Sequence, residues 1–366
     1  MSKQRVVIAC GGTGGHLLPG LAVAEELRRR GKEICLLLSE KRIDRTALEG
    51  EGDFPWETLP TMGWPGALSA RTPAFFGKLA LSWWNCRALF RRLAPEAVLG
   101  MGGFLSAVPI LIARGQRIPT LLHESNAVPG LVTRLFCRKV DRLLLGFEGC
   151  QERLPGVPSV VTGTPLRARL QRVPRGEAAE ALGLASNCST ILVLGGSQGA
   201  RALNRLLREA APALAQAVNP VQILHLSGPA EREACLSAYR AQRIPALVEG
   251  FSHRMDLFYS LADVAVARSG AATLAEVAFY GLPTILVPFP FAADDHQRIN
   301  AKAFVAAGAS LAYDQAALSG ETLAQALGEI LSDERRRRAM GAAAAGLARP
   351  DAARMVAEEV EQCMQQ

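Results

Sequence analysis

Short, wholly apolar runs alternate along the chain with longer segments whose apolar positions fall three or four residues apart. The first run, VVIAC (6–10) after Arg5, is short and β-branched and reads as a strand. A glycine-rich turn, GGTGGH (11–16), leads into LLPGLAVAEELRRRG, where Leu17, Leu21, Val23, Ala24 and Leu27 share one face and Glu25, Glu26 and Arg28 to Arg30 the other. This spacing predicts a helix that stops at Gly31, followed by a strand over 34–38. Such a βαβ opening implies a right-handed crossover and a parallel sheet.

The same succession returns at TILVLGGSQGARALNRLLREA: strand 190–194, loop 195–199 and a helix from Ala200. Two similar doubly wound α/β domains are therefore expected. Pro155, Pro158, Pro165 and Pro174 mark a hinge region. The boundaries read as 1–163, 164–345 and a tail, 346–366, whose amphipathic helix over 352–364 is expected to return to the first domain. Further strands are predicted at 222–226, 246–249, 264–267 and 284–287, with a helix over 271–280 ending at Gly281. GETLAQALGEILSDERRRRAMG reads as two surface helices. The charge-free stretches 97–113 and 277–293 are shorter than the ~20 residues of a spanning helix and broken by Gly and Pro. Both read as strand–loop–helix segments of a soluble core.

Composition narrows the function classes. With 366 residues, 49% hydrophobic and 20% charged, the chain is globular and excludes a disordered or fibrous protein. Its net charge of +7 suits an acidic ligand, a nucleic acid or an anionic membrane surface without choosing among them. The eight cysteines form no CxxC pair and none lies near a His at zinc spacing, which fits reduced thiols in a cytosolic protein, Cys10 and Cys35 being core residues. The five-residue apolar run before GGTGG is too short for a signal peptide.

The chemistry sits in the strand-to-helix loops. GGTGGH lets backbone N–H groups approach an anion at a helix N-terminus. It departs from the dinucleotide fingerprint, because Leu17 stands where the last Gly belongs, and no Lys-Ser/Thr follows as in a P-loop. His16, in the first helical turn, is positioned for general-base work or for a structural role. LGMGGFLSAVP (99–109) is a second glycine loop, and HESNAVPG (123–130) adds Glu124 and Asn126 to the same carboxyl edge, where open α/β sheets bind ligands. In the second half, GGSQG offers Ser197 to a phosphate. ARSGAATLAEVAFYG (267–281) offers the N–H groups of Gly270 to Thr273, with Glu276 one turn on as a ribose acceptor. PFPFAADDHQRINA (288–301) gathers Asp294, Asp295, His296, Gln297 and Asn300, a density suited to sugar hydroxyls or to a polar helix start. Arg167 suits a diphosphate, though a lone Arg is more often a surface ion.

GGTGGH (11–16), GMGGF (100–104), HESN (123–126), GTPLR (163–167), GGSQGARALN (195–204), RSGAATLAE (268–276) and DHQRINA (295–301), in this order over nearly the whole chain, resemble the MurG family. Those enzymes add N-acetylglucosamine to the lipid-linked muramyl-pentapeptide precursor of bacterial peptidoglycan. Ser125 and Thr164 depart from the commoner Gln and Asn at those positions.

The resemblance implies a GT-B fold of two Rossmann-like domains separated by a cleft, with UDP-N-acetylglucosamine bound mostly to the C-terminal one and no cofactor or metal. It places Glu276 at the ribose and Phe251 and Ser252 at the uracil, and it puts Ser197, Arg167 and the helix start at the diphosphate. Ala271, Ala272, Thr273, Leu274 and Ala275 belong to that donor-binding segment, and Asn126, Ala272, His296 and Gln297 lie near the sugar. Thr13, Gly14 and Gly15 would receive the acceptor's diphosphate, and His16 is the candidate base for an inverting transfer to the muramyl 4-hydroxyl. The partners implied are the donor, undecaprenyl-linked muramyl-pentapeptide and an anionic membrane surface, not nucleic acid. The location implied is peripheral, at the cytoplasmic face of the bacterial inner membrane. The stretch 64–93, with three of the four tryptophans interleaved with Arg71, Lys78, Arg87, Arg91 and Arg92, fits that surface. Competing readings are a UDP-sugar epimerase or a transferase with another acceptor, a nicotinamide-dependent reductase with Glu40 after its second strand, and a non-catalytic nucleotide-sugar-binding scaffold.

Overall fold

The computed structural model describes residues 4–41, 44, 48, 53–66, 69–195, 200–218 and 220–365. Two units emerge: Met1–Ala168 with Arg349–Gln366, and Arg169–Ala348. The division thus lies at 168/169, against 163/164 read from the prolines, and the tail begins at Arg349.

The first unit is built on seven strands: β1 (Arg5–Ala9), β2 (Glu33–Ser39), β3 (Trp56–Leu59), β4 (Ala97–Gly100), β5 (Thr120–Glu124), β6 (Arg142–Leu145) and β7 (Val160–Val161). Their order is β3-β2-β1-β4-β5-β6-β7, every pairing parallel. β1 is central, and Val6 to Ala9 are buried, which explains its unbroken apolar sequence. Helix Gly14–Arg29 lays Leu17, Leu21, Val23, Ala24 and Leu27 on one face of this sheet. Helix Ala352–Met364 completes the same core with Val356, Ala357, Val360 and Cys363. Arg30 to Glu361 at 2.8 Å and Arg142 to Glu359 at 3.2 Å tie that helix to this unit. Helices Thr72–Leu93 and Gly103–Gly115 cover the other face through Cys86, Leu89, Phe90, Leu105 and Val108.

The second unit carries six parallel strands: β8 (Ser189–Leu194), β9 (Val221–Leu226), β10 (Ala246–Glu249), β11 (Val264–Ala267), β12 (Thr284–Leu286) and β13 (Ser310–Ala312), in the order β10-β9-β8-β11-β12-β13. Helices Arg201–Ala217 and Gly320–Ser332 pack on it together. The latter was expected at the surface; instead Leu323, Ala324, Leu327 and Ile330 enter the core, because its apolar residues line one face at helical spacing. The stretch 97–113 is strand, loop and helix, whereas 277–293 is a helix end, the Gly281 cap, β12 and a loop. The eight cysteines are all free thiols, and burial pushes the Cys86 thiol up to about 12.

Candidate functional site

In the first sheet the strand order reverses between β1 and β4, so the two glycine loops meet at the switch point where open α/β sheets hold ligands. The loop after β1 passes so close to β2 that a Cβ on Gly11 would lie 2.4 Å from the Ser39 nitrogen and 2.6 Å from Asp44 Oδ2. That carboxylate oxygen is fully buried and accepts from the Gly12 N–H (2.8 Å), the Ser39 N–H (3.0 Å) and the Ser39 hydroxyl (2.6 Å). One oxygen therefore fixes the path of GGTGG into its helix. Sequence reasoning missed Asp44, which lies 32 residues beyond Gly12 with no local pattern pointing back.

Thr13 stands at the N-cap position, with Gly14 and Gly15 in the first turn, and its hydroxyl lies 3.1 Å from His16 Nδ1. The His16 ring rests on the second glycine loop. A Cβ on Gly103 would come within 3.1 Å of His16 Cε1, and one on Gly102 within 3.3 Å of Nε2. Gly102 and Gly103 have φ of +92° and +67°, a region side chains disfavour, so backbone shape and ring clearance both call for glycine. The imidazole thus lies across the junction of the two loops.

HESN divides into supports and a displayed group. His123 is buried, and burial holds its pKa below the ordinary histidine value. In its neutral form Nε2–H donates to the Gly163 carbonyl at 2.9 Å. Glu124, expected to face the edge, turns inward. Its Oε1 accepts from the Asn126 N–H (3.1 Å) and side-chain amide (3.3 Å), its Oε2 from the Gly130 N–H (2.9 Å) and the Thr133 hydroxyl (2.7 Å). The buried Thr133 hydroxyl would otherwise lack an acceptor, so the carboxylate serves structure and Asn126 is the half-exposed member. Arg167 is buried rather than a surface ion, and Glu40 is exposed in an ion pair with Lys78 at 2.9 Å.

The second sheet reverses order between β8 and β11. Ser197, in the loop after β8, lies outside the described residues. In the helix that follows, Asn204 donates to the Ser227 carbonyl (2.8 Å) and accepts from His225 Nε2 (3.0 Å), while His225 Nδ1 meets the Tyr239 hydroxyl (2.8 Å). Burial pushes His225 down to about 3, so it is neutral within this network.

The loop after β11 is locked to the DHQRINA segment. The Ser269 hydroxyl donates to the Gln297 carbonyl at 2.7 Å, and the buried Asn300 amide to the Ser269 carbonyl at 3.1 Å. Gln297 Oε1 accepts from the Phe289 N–H at 2.9 Å, and His296 Nδ1 lies 2.8 Å from the Ala293 carbonyl. Arg268 donates to the Val287 carbonyl at 2.8 Å, and burial lowers its pKa. These bonds set half-buried His296 and Gln297 near the start of helix Ala271–Tyr280. Its N-cap, Gly270, has no side chain to cap the first turn, which makes the N–H groups of Ala271, Ala272 and Thr273 an anion-binding end. Ala271 and Leu274 are buried, and Ala272, Thr273 and Ala275 are half-exposed. Glu276 is nearly buried, and the Tyr259 hydroxyl donates to its Oε2 at 2.6 Å. Ser252 is buried and its Oγ accepts from the Arg254 N–H at 3.2 Å, shaping the turn that leaves Phe251 exposed.

Comparison with known proteins agrees with this layout. Residues 6–145 match the glycosyltransferase family 28 N-terminal domain and residues 190–356 its C-terminal domain. A Halorhodospira halophila protein, UDP-N-acetylglucosamine--N-acetylmuramyl-(pentapeptide) pyrophosphoryl-undecaprenol N-acetylglucosamine transferase, is 40% identical over 99% of each chain. Its namesake from Geobacter sulfurreducens is 37% identical over 98% of each chain. The crystal structure of Acinetobacter baumannii MurG matches with a TM-score of 0.76 at 30% identity, over 98% of this chain and 99% of that one. With both domain models and near full-length relatives in agreement, the chain belongs to glycosyltransferase family 28 and, within it, to the MurG family.

Proposed function

We propose that the protein transfers N-acetylglucosamine from UDP-N-acetylglucosamine to the 4-hydroxyl of the muramyl residue of undecaprenyl-pyrophosphoryl-MurNAc-pentapeptide, converting lipid I to lipid II in peptidoglycan synthesis. The observation that carries this reading is end-to-end similarity to relatives bearing that activity in their names.

In this reading most of the residues that take the donor belong to the second unit, with Asn126 and Arg167 from the first. Glu276 accepts the ribose hydroxyls, and the turn at Phe251 and Ser252 meets the uracil. The first turn at Ala271 to Thr273 takes the diphosphate, together with Ser197 and Arg167. Asn126, Ala272, His296 and Gln297 serve the sugar. The first unit takes the acceptor, its diphosphate at Thr13, Gly14 and Gly15. The sugar C1–O bond to UDP breaks as C1 bonds to the incoming 4-oxygen on the opposite face, which inverts the anomeric centre. Negative charge grows on the departing diphosphate, where preorganised N–H donors, a helix end and a guanidinium stabilise it. His16 Nε2 accepts the hydroxyl proton, with Nδ1 held near the Thr13 hydroxyl. A base so placed contributes about 10²- to 10⁴-fold.

A lipid acceptor requires a membrane contact. Among the described residues no helix is long and apolar enough to cross a membrane. Helix Thr72–Leu93 instead buries Phe75, Cys86, Leu89 and Phe90 and exposes Phe76, Leu81, Trp83 and Trp84, the last at 69%. Trp64 is exposed beside Phe76, ring centroids 6.3 Å apart. Arg71, Arg87 and Arg91 are exposed on the same segment. Aromatic rings among cations suit the headgroup region of an anionic leaflet, and the reading places the enzyme peripherally at the cytoplasmic face.

Incubation with radiolabelled UDP-N-acetylglucosamine and a short-chain lipid acceptor should move label into the lipid with release of UDP. His16→Ala should lose turnover at saturating substrates, and Glu276→Ala should weaken donor use. Epimerised free sugar, or donor binding without turnover, would favour the competing readings.

A further inference from the structure

We infer that Tyr259 is a positioning residue for the donor: its hydroxyl holds the Glu276 carboxylate in the orientation that accepts the ribose hydroxyls. The inference rests on the reading of Glu276 as the ribose-binding residue.

Tyr259 lies on helix Met255–Leu261, 17 residues before Glu276 in sequence, and is 2% exposed. Its Oη donates to Glu276 Oε2 at 2.6 Å, a short charge-assisted bond. The ring is fixed in turn. It stacks on Tyr280 with centroids 4.9 Å apart and planes 19° apart, and the Tyr280 hydroxyl donates to the Gln171 carbonyl at 2.9 Å. Tyr259 and Tyr280 line a cavity of about 410 Å³ with Ala262 and Asp263, which precede β11, and Leu282 and Pro283, which precede β12. That cavity opens at the amino edge of the sheet. Tyr259 therefore reaches Glu276 from the side opposite the ligand-binding loops, and its effect on the donor runs through the carboxylate.

A glutamate at the sixth position of a helix has three rotatable side-chain bonds. Accepting two vicinal hydroxyls requires one setting of the carboxylate plane, and ordering that group on binding lowers affinity. A buried donor on one oxygen removes most of that freedom in advance. Tyr259 is thus to Glu276 what an outer-shell partner is to a metal-ligating histidine: it touches no ligand and sets the geometry of the group that does.

Tyr259→Phe keeps the ring, the stack and the volume and removes only the hydroxyl. The expected result is a donor KM raised about tenfold with kcat within about twofold of wild type. A donor lacking the ribose 2′-hydroxyl should shrink that KM ratio towards one, and so should the Glu276→Ala background. Calorimetric titration with UDP and with 2′-deoxy-UDP reads the same ratios without turnover. An unchanged donor KM in Glu276→Ala would sink the ribose reading itself. A raised KM in Glu276→Ala with no change in Tyr259→Phe would overturn the inference alone. So would a Tyr259→Phe penalty of equal size for normal and 2′-deoxy donors, since that is what loss of packing gives.

Discussion

Gly103→Ala separates backbone strain from displacement of the His16 ring. Gly103 has φ +67°, where an L-residue costs about 1–2 kcal/mol. The added methyl would lie 3.1 Å from His16 Cε1 and 3.3 Å from Nδ1, inside the roughly 3.5–4.0 Å of an ordinary carbon contact. The loop resists moving away, because the buried Ser106 hydroxyl donates to the Gly102 carbonyl at 2.8 Å. The ring must then shift by a few tenths of an ångström, which disturbs its 3.1 Å contact with the Thr13 hydroxyl. At about 2–4 °C per kcal/mol for a unit of this size, strain alone lowers Tm by about 2–8 °C. The shifted base forfeits part of its contribution, so kcat should fall about 10- to 100-fold with donor KM within twofold. Gly31→Ala is the control: φ is +82° and nothing lies within 4 Å of the added Cβ, so Tm should fall similarly and kcat should hold. Thermal melts and initial rates at saturating acceptor supply both numbers. A Gly103→Ala enzyme with lowered Tm and wild-type kcat would refute a catalytic demand on the His16 position.

Three other outcomes follow from the same geometry. Asp44→Ala leaves three donors without their shared acceptor and should cost about 3 kcal/mol or more in urea unfolding; a loss below about 1 kcal/mol would mean the loop is held otherwise. His225 titrates at about 3 when folded and near 6.5 when unfolded, so its contribution is complete above about pH 6.5 and declines as pH falls towards 3. Between pH 7.5 and pH 5 that decline is about 2 kcal/mol, and His225→Gln should flatten this part of the stability profile; an unchanged slope would contradict the assignment. Replacing Phe76 and Trp84 by Ser should weaken sedimentation with anionic vesicles while sparing turnover of a water-soluble acceptor; undiminished binding would move the membrane contact elsewhere.

The fold was legible because both sheets are parallel and covered on two faces, so β1, β8 and β11 read as unbroken apolar runs that end in glycine loops. Short strands such as β7, of two residues, offer no period to detect. Helix Gly320–Ser332 and its neighbour, Glu334–Gly346, differ in what they bury: the first sends Leu323, Ala324, Leu327 and Ile330 into the core, the second Met340 and Ala344. At the site, the sequence shows which groups gather at an edge but not which way they turn. Glu124 and Asn126 look equivalent, yet the buried Thr133 hydroxyl and the Gly130 N–H both donate to the first and draw it inward. Asp44 and Tyr259 act across distances in sequence that no local motif spans.

A crystal structure with UDP-N-acetylglucosamine bound tests the division of labour between the two units most directly. The account predicts the nucleotide on the second unit, with ribose oxygens within hydrogen-bonding distance of Glu276 and the diphosphate at the start of helix Ala271–Tyr280. A nucleotide seated in the glycine loops after β1 and β4, or remote from Glu276, would contradict it.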